Sequence, residues 1–342
     1  MTPMLLARIE RSRAALALVA LLLAAGCRVP ERLASGLFTQ TERRPIPRAA
    51  DCERCHQAVL REWRSSPHAR AFESEAFQRA SADGRAGACV GCHAPAPIRA
   101  GERPRVRDVH RAEGVTCLSC HGSPDPDAAP LTMRGPISRT SPIEIHPIVE
   151  ADPLYQSSDL CGTCHEGALR EWRAAAPPPG EAPPPTCQGC HMPGVRRKME
   201  SVHDEHPYSA LFVALGDERE LRRHTFDVPE VEADQIGLEV TAPAGAGALW
   251  VRVENHLPHG LPTGSFGRRE LRLRARWPVG EAVRTRSRRL DGALASGEAW
   301  EIRVELPEGT PRDALEVDLE RWDASSGGWR RLRRATPSAD PS

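Results

Sequence analysis

Beyond residue 225 apolar and polar positions alternate one for one. Leu249, Val251 and Val253 interleave with Trp250, Arg252 and Glu254, and Leu271, Leu273 and Ala275 with Arg272, Arg274 and Arg276. The same period recurs at Ile302, Val304 and Leu306 and at Leu315, Val317 and Leu319. A period of two with polar residues between marks strands that bury one face. Several such strands, broken by Gly and Pro turns, predict an all-β, immunoglobulin-like sandwich over 225–335, with 336–342 a disordered tail. Upstream the apolar stretches are short and helical in period. They predict helices over 58–64 and 71–80, and a helix over 211–223 joining the two regions.

The N-terminus has a different pattern. Arg8, Arg11 and Arg13 precede the apolar stretch Ala14 to Ala25, which closes on Ala24-Ala25-Gly26-Cys27. That stretch is short for a membrane span, and small residues before a Cys suit a lipoprotein leader. Residues 1–26 are therefore expected to be a signal peptide and Cys27 a lipidated N-terminus, with 27–50 a flexible tether. A plain signal peptide and an uncleaved anchor helix are the alternatives, and all three export the chain to the periplasmic side. Arg28 stands where an Asp commonly retains lipoproteins at the inner membrane, so the outer membrane is preferred.

Composition sharpens the picture of the middle region. Formal net charge is zero, which gives no global field for nucleic acid or an anionic membrane; the membrane contact expected is the lipid. Aromatic residues are only 4% of the chain and prolines number 32, so 51–224 has little material for an ordinary core. Ten of the eleven cysteines fall there, in five copies of Cys-x-x-Cys-His. The copies are Cys52, Cys55 and His56; Cys89, Cys92 and His93; Cys117, Cys120 and His121; Cys161, Cys164 and His165; and Cys187, Cys190 and His191.

In each copy two thiols three positions apart can add across the two vinyl groups of one haem, and the adjacent imidazole reaches its iron. Zinc ribbons need paired Cys-x-x-Cys units without that adjacent His, and disulfides leave five histidines unexplained. The expectation is five covalently attached haem c groups in a domain over 51–224, mostly helical and irregular, whose macrocycles supply the missing apolar bulk. Only Met133, Met192 and Met199 survive removal of the leader, whereas eight histidines lie outside the motifs. Supply favours bis-histidine ligation and low reduction potentials.

An internal repeat runs through this region. Leu60-Arg61-Glu62-Trp63-Arg64 follows the first motif, and Leu169-Arg170-Glu171-Trp172-Arg173 follows the fourth at the same distance. Each Trp falls two helical turns past its motif histidine, where it can cover a haem edge. The copies then diverge at His68 and Pro177, the latter opening a Pro-rich run through Pro185 expected to be an extended surface loop.

The stretch Cys55-His56 to Trp63-Arg64-Ser65-Ser66-Pro67-His68-Ala69 resembles the haem motif followed by Trp-x-x-Ser-x-His-Ala in multihaem cytochromes c, a group that includes the tetrahaem partner of hydroxylamine oxidoreductase. Cys92-His93-Ala94-Pro95, Glu113-Gly114-Val115-Thr116-Cys117, Ser157 to His165 and Cys187-Gln188-Gly189-Cys190-His191-Met192-Pro193 extend the resemblance. His259-Gly260-Leu261-Pro262-Thr263-Gly264 is similar to a signature of the β domain that some of these cytochromes carry. The resemblance implies His68 and His146 as foremost distal ligands, then His259, then His224 with His206 as its rival, and His110 below them. His203 and His256 are expected to be surface residues.

The resemblance implies electron transfer between redox partner proteins. The alternative is a reductase or oxidase of a small nitrogen or sulfur oxyanion, which needs one haem with an open axial position. Arg99, Arg103, Arg105 and Arg107 after the second motif are candidates for an oxyanion-facing site, or form a solvated basic loop. Arg268, Arg269, Arg272, Arg274, Arg276, Arg284, Arg286, Arg288 and Arg289 are expected to put several guanidinium groups on one sheet face, a docking platform for an acidic partner or simply its solvated side.

Overall fold

The computed structural model describes residues 46–82, 86–124, 132–136, 152–175, 182, 184–199, 217–226, 231, 234–243, 247–264, 268–323 and 326–338. The leader, Cys27, His146, His203, His206, the Pro-rich run from Pro177 to Gly180 and the tail end 339–342 lie outside these residues.

The Cys-His region is built from short helices, most of them one haem motif long. They are α1 (Glu53–Ser65), α2 (Glu75–Ala80), α3 (Gly87–His93), α4 (Cys117–His121), α5 (Asp159–Gly162), α6 (Glu166–Ala174) and α7 (Cys187–His191). A 3₁₀ turn at Ala49–Cys52 leads into α1. Thr116 and Thr186 precede α4 and α7, and the Thr186 hydroxyl accepts the Gly189 N–H, which stops the Cys-x-x-Cys turn from fraying.

Few apolar side chains hold this region together. Ala49, Leu60 and Trp63 form one small core and Phe77, Val90 and Ala94 another. Residues 75–80 are helical as expected, although 71–73 form turns instead. The helix expected over 211–223 is a misassignment for its described end. Arg219–Arg222 is a strand, β2, paired antiparallel with β1 (Gly194–Arg197). Arg197 in that ribbon is held by Glu62 of α1, a long-range ion pair that overrides the local helical preference of 219–222.

Among the described residues the C-terminal region contains seven antiparallel strands. They are β3 (Ile236–Thr241), β4 (Ala248–Asn255), β5 (Leu271–Val279), β6 (Ala282–Leu290), β7 (Ala299–Glu305), β8 (Glu316–Asp323) and β9 (Gly328–Ala335). One sheet has the order β3-β4-β7 and the other β6-β5-β8-β9. Their alternating apolar residues meet in one large core, which takes Leu249, Val251 and Ile302 from the first sheet and Leu271, Leu273, Val317 and Leu319 from the second.

The arginines divide between two faces. Arg272, Arg274 and Arg276 point to the outer side of β5, where Glu320, Asp318 and Glu316 of β8 neutralise them. Arg284, Arg286 and Arg288 of the edge strand β6 lie opposite Trp277, Ala275 and Leu273, on the other face. Charged residues on the inner face of an edge strand discourage a further strand from pairing there.

Candidate haem-binding sites

Each motif begins as a tight helical turn that brings its two cysteines to one side and ends in a histidine. At the first and fourth motifs the histidine is also a kink. His56 has φ −116° and ψ 40° and His165 has φ −97° and ψ 45°, and each starts a new helix that carries the Leu-Arg-Glu-Trp-Arg repeat. The motif cysteines are not joined in disulfides, and among the described residues no three of His, Cys, Asp or Glu gather into a metal cage.

The motif histidines are oriented by the backbone. His93 Nδ1 lies 2.6 Å from the Ala71 carbonyl, His121 Nδ1 2.9 Å from that of Arg134 and His56 Nδ1 3.4 Å from that of Met199. A ring that donates from Nδ1 to a carbonyl presents Nε2 as a lone pair, the form a metal needs. His224 and His259 do the same with Arg222 and Gly260, at 3.0 and 3.1 Å.

Three motif histidines face a second imidazole. The ring centres of His165 and His68 are 6.2 Å apart, those of His121 and His224 6.1 Å, and those of His191 and His259 6.4 Å. A metal–nitrogen bond of about 2 Å puts an imidazole centre about 3 Å from its metal, so two rings on opposite sides of one iron stand about 6 Å apart. All three spacings fit an iron between the rings. Burial, and then the neighbouring His165 and His224, depress the His68 pKa to about 3; burial and His121 depress that of His224 to about 4. Burial lowers His259 and His165 as well, so these rings stay neutral and able to ligate.

The other candidates are placed differently. The ring against His93 is that of Phe77, stacked with centres 3.9 Å apart. His110 sits in a left-handed backbone conformation at the head of a 3₁₀ turn, and its carbonyl accepts from Arg107. His256 is paired with Glu254.

Arg107 is not an oxyanion-facing group. It is buried and donates to the carbonyls of Val109, Pro95, His110 and Gly114 and to the hydroxyls of Thr116 and Ser119. Its role is to bind the segment after the second motif to the third motif.

The motifs also meet one another. Cys52 lies beside Cys117, Cys161 beside Cys187 and Cys92 beside Cys164. Trp63 does not lie free over a motif edge; its Nε1 donates to the Val115 carbonyl at 2.7 Å and its ring helps cover Cys117. Trp172 Nε1 likewise donates to the Pro185 carbonyl at 3.0 Å, just before Cys187. The role of these tryptophans between motifs was hidden in the sequence, where only their distance from the preceding histidine was visible.

Residues 51–122 match the family model for cytochrome c554 and c-prime. The chain is also similar to the penta-heme cytochrome c552 from Thermochromatium tepidum, with a TM-score of 0.53 and 17% sequence identity over 84% of this chain and 97% of that one. Its fold is that of a multihaem cytochrome c. No curated protein matches the sequence. At this identity the likeness carries the fold, and the family match, over the first three haem motifs, supports the resemblance to multihaem cytochromes c drawn from the motifs.

Proposed function

We propose that this multihaem cytochrome is an exported electron carrier that holds five haem c groups through Cys52, Cys55, Cys89, Cys92, Cys117, Cys120, Cys161, Cys164, Cys187 and Cys190. The observation that carries the reading is the set of three facing imidazole pairs. On this reading His68 would serve with His165, His224 with His121 and His259 with His191. His110, His146 and His206 are left for the first and second haems.

Haem supplies one-electron chemistry; the protein sets potential through axial ligand, burial and nearby charge. The closeness of Cys52 to Cys117, of Cys92 to Cys164 and of Cys161 to Cys187 supports a packing in which the first haem would neighbour the third, the second the fourth and the fourth the fifth. The lipid at Cys27, the periplasmic side and the outer membrane belong to this reading. The β region serves in it as an immunoglobulin-like sandwich whose three-plus-four division supports that topology, the fourth strand having joined the second sheet. The partners are redox proteins with acidic surfaces, received by Arg284, Arg286 and Arg288. Transfer rates that fall steeply with salt would bear this out, and salt-independent rates would remove it.

A second reading, reduction or oxidation of a small nitrogen or sulfur oxyanion, is favoured by one feature: the ring that stacks on His93 is that of Phe77 and not an imidazole. Low-temperature electron paramagnetic resonance of the oxidised protein decides between them. Low-spin signals from all the haems support the carrier. A high-spin signal that shifts with added nitrite or hydroxylamine supports the enzyme.

A further inference from the structure

The two copies of the Leu-Arg-Glu-Trp-Arg repeat make equivalent contacts with different partners. In the first, Trp63 bonds the carbonyl two residues before Cys117 and the Cys52 thiol meets Cys117. In the second, Trp172 bonds the carbonyl two residues before Cys187 and the Cys161 thiol meets Cys187. Each repeat helix thus docks one other motif, the third and the fifth.

The glutamates complete the equivalence. Glu62 is almost buried and Oε2 accepts the backbone N–H of His224 at 3.0 Å, while Arg197 grips both carboxylate oxygens at 2.6 and 2.9 Å. His224 is the ring that faces His121 of the third motif. Glu171 Oε2 accepts the backbone N–H of Gly260 at 3.0 Å and the Thr263 hydroxyl at 2.7 Å. Gly260 follows His259, the ring that faces His191 of the fifth motif. A Cβ at position 260 would come within 3.1 Å of that same oxygen, so glycine there permits the close approach.

We propose that Glu62 and Glu171 are duplicated positioning residues, each of which seats the distal histidine of the haem that its own helix docks, Glu62 for the third and Glu171 for the fifth. The inference rests on the ligand pairs of the proposed function. Neither His224 nor His259 lies within a regular element, so a bare loop would supply the ligand with a broad spread of ring positions. A carboxylate that accepts N–H bonds from the ligand-bearing segment narrows that spread, and charge-assisted bonds are the stronger kind for the purpose. A purely structural role for the two carboxylates would leave axial ligation intact.

The experiment is quantitative electron paramagnetic resonance of oxidised, haem-loaded full chain in Glu62→Ala, Glu171→Ala, Glu62→Gln and Glu171→Gln, beside His224→Gly and His259→Gly as references. Each alanine variant is expected to gain a high-spin signal of about one haem that matches its own histidine reference and not the other. The glutamine variants, which still accept the N–H bonds and keep the packing, are expected to retain most of the low-spin signal. Alanine variants that stay low-spin while the histidine references turn high-spin overturn the positioning role. Histidine references that remain low-spin overturn the ligand pairs beneath it, a separate failure.

Discussion

Single residues carry more here than their number suggests, because the apolar core around the motifs is thin. Arg107 is 4% exposed and donates to four carbonyls and two hydroxyls between Pro95 and Ser119, from just after the second motif to within the third. Arg107→Met would take a donor from each of them, with the Pro95 and His110 carbonyls keeping Ser119 and the Glu113 N–H, and the expected loss is about 2 kcal/mol in denaturant unfolding of the haem-loaded protein. Arg107→Lys should recover only part of it, since an ammonium cannot reach a fork of acceptors. His259 is decisive in another way. Replacing it with Met should raise the potential of one haem, and a redox titration superimposable on the native one would remove His259 from the ligands.

At the scale of elements, β5, β8 and β9 are locked by charge on the side away from the core. Glu320 is 2% exposed and holds Arg272 at 2.5 Å and Arg274 at 2.6 Å; Asp318 beside it serves Arg276 and Arg334. Glu320→Ala leaves Arg274 with Asp318 and Arg272 over the Trp329 ring, so it is expected to destabilise the β region by about 1 kcal/mol, measured as a shift of its thermal transition. The alternation of Leu271, Leu273 and Ala275 was enough to place β5, and that of Leu315, Val317 and Leu319 to place β8. No such signal existed for β6, whose residues are exposed along both faces until Leu290. It is a strand because β5 lends it a ladder. The strand at 219–222 was missed for a related reason: its register comes from 194–197 and its anchor from Glu62, neither of which is local.

The whole molecule joins two kinds of stability. The β region has a continuous core of seventeen buried apolar residues, while each described core of the motif region has three. A chain made with its ten motif cysteines changed to alanine should therefore leave 51–224 unfolded and the β region folded. Limited proteolysis should then yield a resistant fragment spanning about 235 to 336. A motif region equally resistant to protease without haem would show that the macrocycles are not its core. Both regions meet where Glu171 accepts from Gly260 and Thr263, and a cleft of about 360 Å³ opens beside that contact between Arg170 and Arg269.

What the sequence determined by itself was the chemistry that depends on neighbours along the chain. Two thiols and an imidazole at fixed spacing define a haem attachment wherever the chain goes, and a period of two defines a half-buried strand before its partner is known. Only the tertiary structure decided which distant histidine stands across from which motif, because that pairing is made through space by segments far apart in the chain. The repeated glutamates and tryptophans were visible as a repeat from the start. Their work, docking one motif on another and seating a histidine from downstream, became legible only once folding had brought His224 and Gly260 to their carboxylates.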